Sequence, residues 1–316
     1  MSSKRKFCFL EWVVIDNCNL DCSYCVNKGK YSQKNASQMK YVPGVELQVA
    51  KKIRSISPQF EKIVVNLTGG EPTVALHIVE AVKELAAAGN VEIRLITNLK
   101  ATDRFEEIAP YLSSLLVSLH LDYRSNDDVE RIISVVNAHK SKLSITLSQV
   151  NHNMSSEVHD KLARIKAATR LPISYQTFIP PWTDDGKMGK KNEISVANFQ
   201  KSLGKRCSLG YFYFFIETDG TLRYDLWCSP ENARNTSLLS PELTDLSTYV
   251  LDDMGKCPKL ACGCNYNYCF HDLYIQECRQ KGYSQKEIFL GGNLRIMSKI
   301  MHIFSKIKTS VRTCLK

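Results

Sequence analysis

The sequence predicts an α/β fold: a partial (β/α)6 barrel with a small cysteine-rich C-terminal extension and a C-terminal helix. Up to about residue 181, apolar strand-like runs alternate with helical patterns at a repeat of roughly thirty residues. Seven of the twelve cysteines lie between residues 207 and 278. The alternation predicts a parallel sheet with right-handed crossovers, whose ligands bind at the C-terminal ends of the strands.

Each element follows from a local pattern. Strands are expected at short apolar runs, and helices where apolar residues recur every three or four positions. One helix closes at a glycine and another opens with an acidic turn, as helix ends favour. The predicted strands are 7–15, 62–70, 91–98, 114–121, 142–150 and 171–179, and the predicted helices are 45–56, 74–89, 102–112, 126–140 and 155–169.

Composition indicates how the chain is divided into domains and which kinds of protein it resembles. The predicted parts are a barrel domain (1–181), a linker rich in Pro, Gly and charge (182–206), a cysteine-rich region (207–280) and a helical tail (281–316). Glu11 interrupts the apolar N-terminal stretch, which therefore reads as a strand rather than a signal peptide. A cytoplasmic location is expected, and reduced thiols there favour metal ligation over disulfides. The net charge of +10 indicates a solvated basic surface or contact with acidic partners.

The first cysteine cluster follows the first strand as Cys18-Asn-Leu-Asp-Cys22-Ser-Tyr-Cys25, a C-x3-C-x2-C spacing. Thiolates on one short loop can hold three irons of a cubane and leave its fourth iron open to a small molecule. A structural zinc site usually has paired C-x2-C units and a fourth ligand. A zinc knuckle or a chance cluster is the alternative.

With Tyr24 before its third cysteine, this loop resembles the signature loop of the radical S-adenosylmethionine (SAM) superfamily. The resemblance implies a [4Fe–4S] cluster on Cys18, Cys22 and Cys25, with SAM on the open iron and Tyr24 among the cofactor-binding residues. It also implies reductive cleavage of SAM to a 5′-deoxyadenosyl radical, which abstracts a substrate hydrogen atom. A flavodoxin- or ferredoxin-type protein would supply the electron.

The second strand ends in Gly69-Gly70-Glu71, which is similar to the GGE motif of that family. Glycines there let the backbone come close to a ligand, although a generic strand-to-helix turn would also use them. The resemblance implies that all three residues contact the amino group of the SAM methionine.

Polar residues also lie at the C-terminal ends of the later predicted strands. By the same resemblance, Asn98 and Ser118 are expected to reach the ribose and carboxylate of SAM. His120 is either a tentative catalytic residue facing the substrate or a hydrogen-bonded structural histidine. Further candidates to line the barrel are Gln149, Tyr175 and Gln176.

The second cysteine region resembles the auxiliary-cluster extensions called SPASM and twitch. A hairpin with Asp219-Gly220 as its turn would bring two cysteines together, and C-x4-C-x-C-x4-C follows at 257–269. The family spacing is C-x2-C-x5-C-x3-C, so one auxiliary [4Fe–4S] cluster is favoured over two, with a zinc site as the alternative. The expected ligands are Cys207 and Cys228, completed from Cys257, Cys262 and Cys264; Cys269 and Cys278 are spare or bind a second cluster.

The tail segment 293–310 has basic residues among helically spaced apolar ones. It predicts a helix that docks on the barrel, contacts an anionic membrane peripherally or binds a partner.

The expected function is oxidation or rearrangement of a small molecule such as a sugar or aminocyclitol, since no N-terminal peptide-binding module precedes the first strand. The alternative is a maturase or epimerase acting on a ribosomal peptide. A zinc-stabilised nucleic-acid-binding protein is a distant alternative, and no nucleic-acid partner is expected because aromatics do not alternate with the basic residues.

Overall fold

A computed structural model of the chain describes residues 5–25, 41–152, 154–177, 206–207, 212–223, 235–246 and 255–256. The predicted tail (281–316) lies outside these residues, as do Cys228, Cys257, Cys262 and Cys264. The strands are β1 (Arg5–Ile15), β2 (Phe60–Gly69), β3 (Val91–Thr97), β4 (Ser114–Ser118), β5 (Ser144–Asn151), β6 (Ile173–Thr177), β7 (Arg206–Cys207), β8 (Tyr213–Ile216), β9 (Thr221–Arg223), β10 (Asn235–Ser237) and β11 (Gly255–Lys256). The helices are α1 (Val45–Ile56), α2 (Ile78–Ala86), α3 (Thr102–Ile108), α4 (Asn126–His139) and α5 (Ser156–Thr169).

The main sheet has the strand order β10–β9–β8–β1–β2–β3–β4–β5–β6 within the described residues. Strands β1 to β6 pair in parallel, each with the next along the chain. The helices between them make the crossovers that parallel pairing requires. The predicted α/β partial barrel is therefore confirmed.

The sheet extends beyond the six predicted strands on the free side of β1. Strand β8 pairs in parallel with β1, with Phe9 opposite Tyr213, and β9 and β10 continue the sheet in antiparallel. The turn between β8 and β9 contains Asp219 and Gly220, whose φ of 81° favours glycine. The predicted hairpin is confirmed, and it lies in the barrel sheet.

The hydrophobic core lies on one face of this sheet. Alternate strand residues such as Trp12, Leu67 and Phe214 join it together with helix residues such as Ile53 and Val82. The period of two along each strand places Phe9, Glu11 and Asn66 on the opposite face. Among the described residues, no helix is long and apolar enough to cross a membrane.

Most element boundaries differ from the prediction by a few residues, and two of the differences have a local cause. The predicted helix 74–89 is a 3-10 turn at Pro72–Val74 followed by α2, because Ala75 between them is extended. Its carbonyl accepts a hydrogen bond from Arg104 Nη1 at 2.6 Å instead of continuing a helix. Strand β4 ends at Ser118 rather than residue 121 because His120 adopts the left-handed conformation, with φ of 48°.

A second compact unit contains β7 and β11, which pair in antiparallel with Cys207 opposite Gly255.

Candidate metal centre

The backbone after β2 lies directly against the chain that leads from β1 into the cysteine loop (residues 18–25). Gly70 N–H donates to the Ile15 carbonyl at 2.7 Å, and Glu71 N–H donates to the Asn17 carbonyl at 2.9 Å. A Cβ atom on Gly69 would lie 2.4 Å from the Ile15 oxygen, and one on Gly70 would lie 2.2 Å from the Asn17 oxygen. Any side chain there would clash, so this Gly-Gly-Glu backbone fixes the path into the first cysteine.

The Glu71 carboxylate joins the ends of β2 and β3. Its Oε1 accepts from Thr73 Oγ1 at 2.6 Å and Thr97 Oγ1 at 2.7 Å, and its Oε2 accepts from Asn98 N–H at 2.6 Å. The side chain is buried, which raises its pKa, and the donated hydrogen bonds oppose that rise. The carboxylate therefore links the ends of β2 and β3 through hydrogen bonds.

The cysteines differ in exposure and acidity. Cys18 is exposed, Cys25 is half-buried and Cys22 is buried. Burial, followed by the neighbouring thiols, raises the pKa of Cys22 to about 12, against a hydrogen bond with Tyr24 that lowers it. Burial also raises the pKa of Cys18. Metal binding at this loop must therefore displace protons from the thiols.

Asn98 extends from the end of β3 to the same loop. Its Nδ2 donates to Asn19 Oδ1 at 2.8 Å and to Cys18 Sγ at 3.6 Å. Its carbonyl accepts a hydrogen bond from Arg124 Nη2. The end of β3 thus contacts the cysteine loop on one side and the chain after β4 on the other.

The segment that follows β4, residues 120–124, contacts the other end of the loop and is here named the post-β4 segment. Tyr24 Oη lies 2.9 Å from His120 Nδ1 and donates to Asp122 Oδ1 at 3.1 Å. Tyr123 Oη accepts from Ser23 N–H at 2.7 Å. Burial, followed by the nearby Arg124, lowers the pKa of His120 to about 4, so its imidazole is neutral near pH 7.

Direct hydrogen bonds therefore bring most of the predicted site residues together: Cys18, Cys22, Tyr24, Gly70, Glu71, Asn98 and His120. Ser118 ends β4 opposite Ser148. Gln149 is buried, with its side chain bonded to Leu121 and Val150, whereas Tyr175 is 58% exposed. The predicted site residues did not include Thr73, Asp122, Tyr123 and Arg124. For the last three, the position after the fourth strand was a signal of a site residue, but it did not reveal which residues they contact.

The donor set fits an iron–sulfur cluster. In the described residues, no group of three His, Cys, Asp or Glu side chains is arranged to hold a single metal ion. A cubane binds each thiolate to a different iron atom, so its ligands need not converge on one point. The loop provides three thiols, with three and then two residues between them, so that each could bind a different iron atom.

Comparison with known proteins shows which family part of the chain matches. Residues 12–140 match the model of the Radical SAM superfamily. A GTP 3′,8-cyclase of Erythrobacter litoralis is 28% identical over 100 residues, which are 30% of this chain and 27% of that protein. The chain thus matches about a quarter of the length of that curated relative.

Solved structures share the fold. Streptococcus suis SuiB bound to S-adenosylmethionine superposes with a TM-score of 0.54 at 15% identity, over 78% of this chain and 66% of SuiB. AnSMEcpe with bound AdoMet gives a TM-score of 0.52 at 14% identity, over 77% of this chain and 82% of that one. The residues matched by the family include the cysteine loop and the Gly-Gly-Glu turn held against it. Residues 12–140, which contain both motifs, therefore match the radical SAM superfamily of enzymes.

Proposed function

We propose that the chain binds a [4Fe–4S] cluster through Cys18, Cys22 and Cys25 and uses it with SAM to abstract a hydrogen atom from a substrate. The contact between Gly69-Gly70-Glu71 and the backbone entering the loop carries the proposal, because it joins both signature motifs in one rigid site. When bound, the cluster supplies one electron that cleaves SAM to methionine and a 5′-deoxyadenosyl radical, which takes the substrate hydrogen.

The protein's own contribution is positioning. Asn98 and the backbone of Gly69 and Gly70 border the loop at the strand ends, where barrel enzymes place their ligands. We assign Ser118 to SAM binding because it lies at the end of β4. We assign Tyr24 to cofactor binding because it lies beside Cys22. We assign His120 to positioning Tyr24 because its Nδ1 lies 2.9 Å from the Tyr24 hydroxyl.

The test is anaerobic reconstitution followed by measurement of iron and of 5′-deoxyadenosine. Wild type is expected to bind iron and to release 5′-deoxyadenosine when reduced with SAM. Replacing Cys18, Cys22 and Cys25 together by alanine should abolish the product. The matched control is Cys8→Ala, because Cys8 is buried on β1 outside the loop. Product formation by the triple variant would overturn the proposal.

The same preparations test the auxiliary cluster on Cys207, Cys228, Cys257, Cys262 and Cys264. Each cubane contributes about four irons, so the triple variant should retain about four per chain if an auxiliary cluster is present. If the triple variant holds no iron, the proposal of an auxiliary cluster is overturned, and the proposal of the first cluster still stands on the wild-type result.

We propose a small polar substrate such as a sugar or aminocyclitol, consistent with the nucleotide substrate named for GTP 3′,8-cyclase. A ribosomal peptide is the second candidate, because SuiB has been solved with the precursor peptide SuiA and anSMEcpe with the Cp18Cys peptide. The two candidates can be distinguished with a cell extract that stimulates 5′-deoxyadenosine release by the enzyme. Stimulation that survives protease treatment favours the small molecule, and its loss favours the peptide.

A further inference from the structure

We infer that the post-β4 segment is a positioning device for the cysteine loop, with Asp122 and Tyr123 as the side chains that hold it. This inference rests on the proposed function, since it concerns how the loop presents its thiols to a cluster. It assigns a role to residues outside both signature motifs.

The loop side of the segment contacts the residues between the second and third cysteines. Tyr123 Oη accepts from Ser23 N–H and donates to Ser23 Oγ, both at 2.7 Å. Asp122 Oδ1 accepts from Tyr24 Oη at 3.1 Å. The Tyr123 ring also meets the Tyr24 ring edge-on, with centroids 5.6 Å apart. Both residues of the Ser23-Tyr24 pair are therefore held from the same side.

The scaffold side of the segment is fixed independently of the loop. Leu121 N–H donates to Gln149 Oε1 at 3.2 Å, which ties the segment to β5. Lys161 on α5 is buried and donates to the Arg124 carbonyl at 2.6 Å. Ser125 then begins α4 with a capping box. Because β5, α5 and α4 all fix the segment, it can act as a rigid support.

The loop lies outside the regular pairing of the sheet, which ends with β1 on this side. Within the loop, Leu20 N–H donates to Cys18 Sγ at 3.4 Å and Cys25 N–H donates to the Cys22 carbonyl at 3.2 Å. A short loop that must hold three thiols in fixed positions needs external contacts to restrict its conformations. Asp122 also places a carboxyl group against Tyr24, the residue before the third cysteine. A negative charge at that position disfavours the additional electron of a reduced cluster.

The first test replaces Tyr123 by phenylalanine, which removes the hydroxyl and leaves the ring. Loss of iron to a chelator from the reconstituted protein should become several-fold faster, while the melting temperature of the metal-free protein stays unchanged. The matched control is Tyr111→Phe, since Tyr111 is 40% exposed on a 3-10 turn before β4. Release of iron at the wild-type rate in Tyr123→Phe would overturn the inference.

The second test replaces Asp122 by asparagine, which keeps an acceptor for Tyr24 and removes the charge. The midpoint potential of the cluster should shift to a more positive value, and the EPR spectrum of the reduced cluster should change. A purely structural role predicts neither change, so an unchanged potential and spectrum would contradict the role of Asp122.

The outcomes separate this inference from the proposed function. If wild type binds no iron, the proposed function fails. If wild type and Tyr111→Phe bind iron and Tyr123→Phe releases it no faster, only the role of the post-β4 segment fails.

Discussion

At the scale of single residues, Glu11 is an ionisable side chain buried in the sheet. It lies on β1 and is 1% exposed, and Asn66 Nδ2 donates to its Oε2 at 2.8 Å. Burial raises the pKa of Glu11 from 4.5 to about 7, against the smaller lowering by Asn66. Between these two values the folded protein holds a proton that the unfolded chain has released. The free energy of unfolding therefore falls as pH rises through this interval.

Glu11→Gln should remove this pH dependence. The amide keeps an acceptor for Asn66 and carries no charge, so at pH 8 the variant should be more stable than wild type by up to about 3 kcal/mol. The two free energies of unfolding, measured with urea on metal-free protein, should converge as the pH falls toward 4. Glu107→Gln, on the exposed face of α3, is the control and should follow wild type at both pH values. Parallel curves for Glu11→Gln and wild type would contradict the prediction.

Candidate site residues in contiguous motifs could be proposed from the sequence, and the residues that contact them across the fold could not. Cys18, Cys22, Cys25 and Gly69-Gly70-Glu71 stand out because their spacing alone is unusual. Tyr123 bonds Ser23, a residue 100 positions earlier, and no local pattern reveals that contact. Asp122 and Arg124 were missed for the same reason.

At the scale of elements, the end of β2 supports the end of β1. Gly70→Ala should break this support, because its Cβ would lie 2.2 Å from the Asn17 oxygen and 2.5 Å from the Asp16 oxygen. The chain entering the cysteine loop would have to move, and iron retained after gel filtration should fall several-fold.

The comparison for Gly70→Ala is Gly89→Ala. Gly89 has a φ of 75°, and a Cβ added to it would meet no atom within 4 Å, so alanine there introduces strain of about 1 kcal/mol without a clash. Gly89→Ala should keep its iron. Equal iron in the two variants would contradict the role of the Gly70 contact in holding the loop.

Element boundaries were predictable where the local pattern was strong. Helix α1 has the predicted bounds because its apolar spacing is regular. Helix α2 was predicted too long, since the extended Ala75 depends on a hydrogen bond from Arg104 in a later helix. Propensity along the chain cannot anticipate such a tertiary contact.

At the scale of the whole molecule, the barrel sheet includes residues that come after the predicted linker (182–206). Strand β8 pairs with β1 although about two hundred residues separate them along the chain. Pairing at this distance leaves no local signature, which is why the sequence predicted the hairpin and not its place in the sheet.

Phe214→Ala should therefore destabilise the barrel as a whole. Phe214 is buried in the same core as Leu10 and Trp12, and loss of such a side chain costs about 3–5 kcal/mol. Urea unfolding should show this loss, and hydrogen exchange should accelerate in β1 and β2. Tyr175→Ala, at a 58% exposed position, should be close to neutral. Faster exchange confined to residues 212–223 would show instead that the hairpin unfolds separately.

The left-handed backbone of His120 decides how its imidazole should be removed. Alanine would keep the left-handed conformation and delete the ring, so its effect reports mainly the ring. Glycine adopts a φ of 48° without penalty, so it would delete the ring and relieve the backbone strain together. The difference between the alanine and glycine variants therefore measures the cost of holding an ordinary residue in this turn.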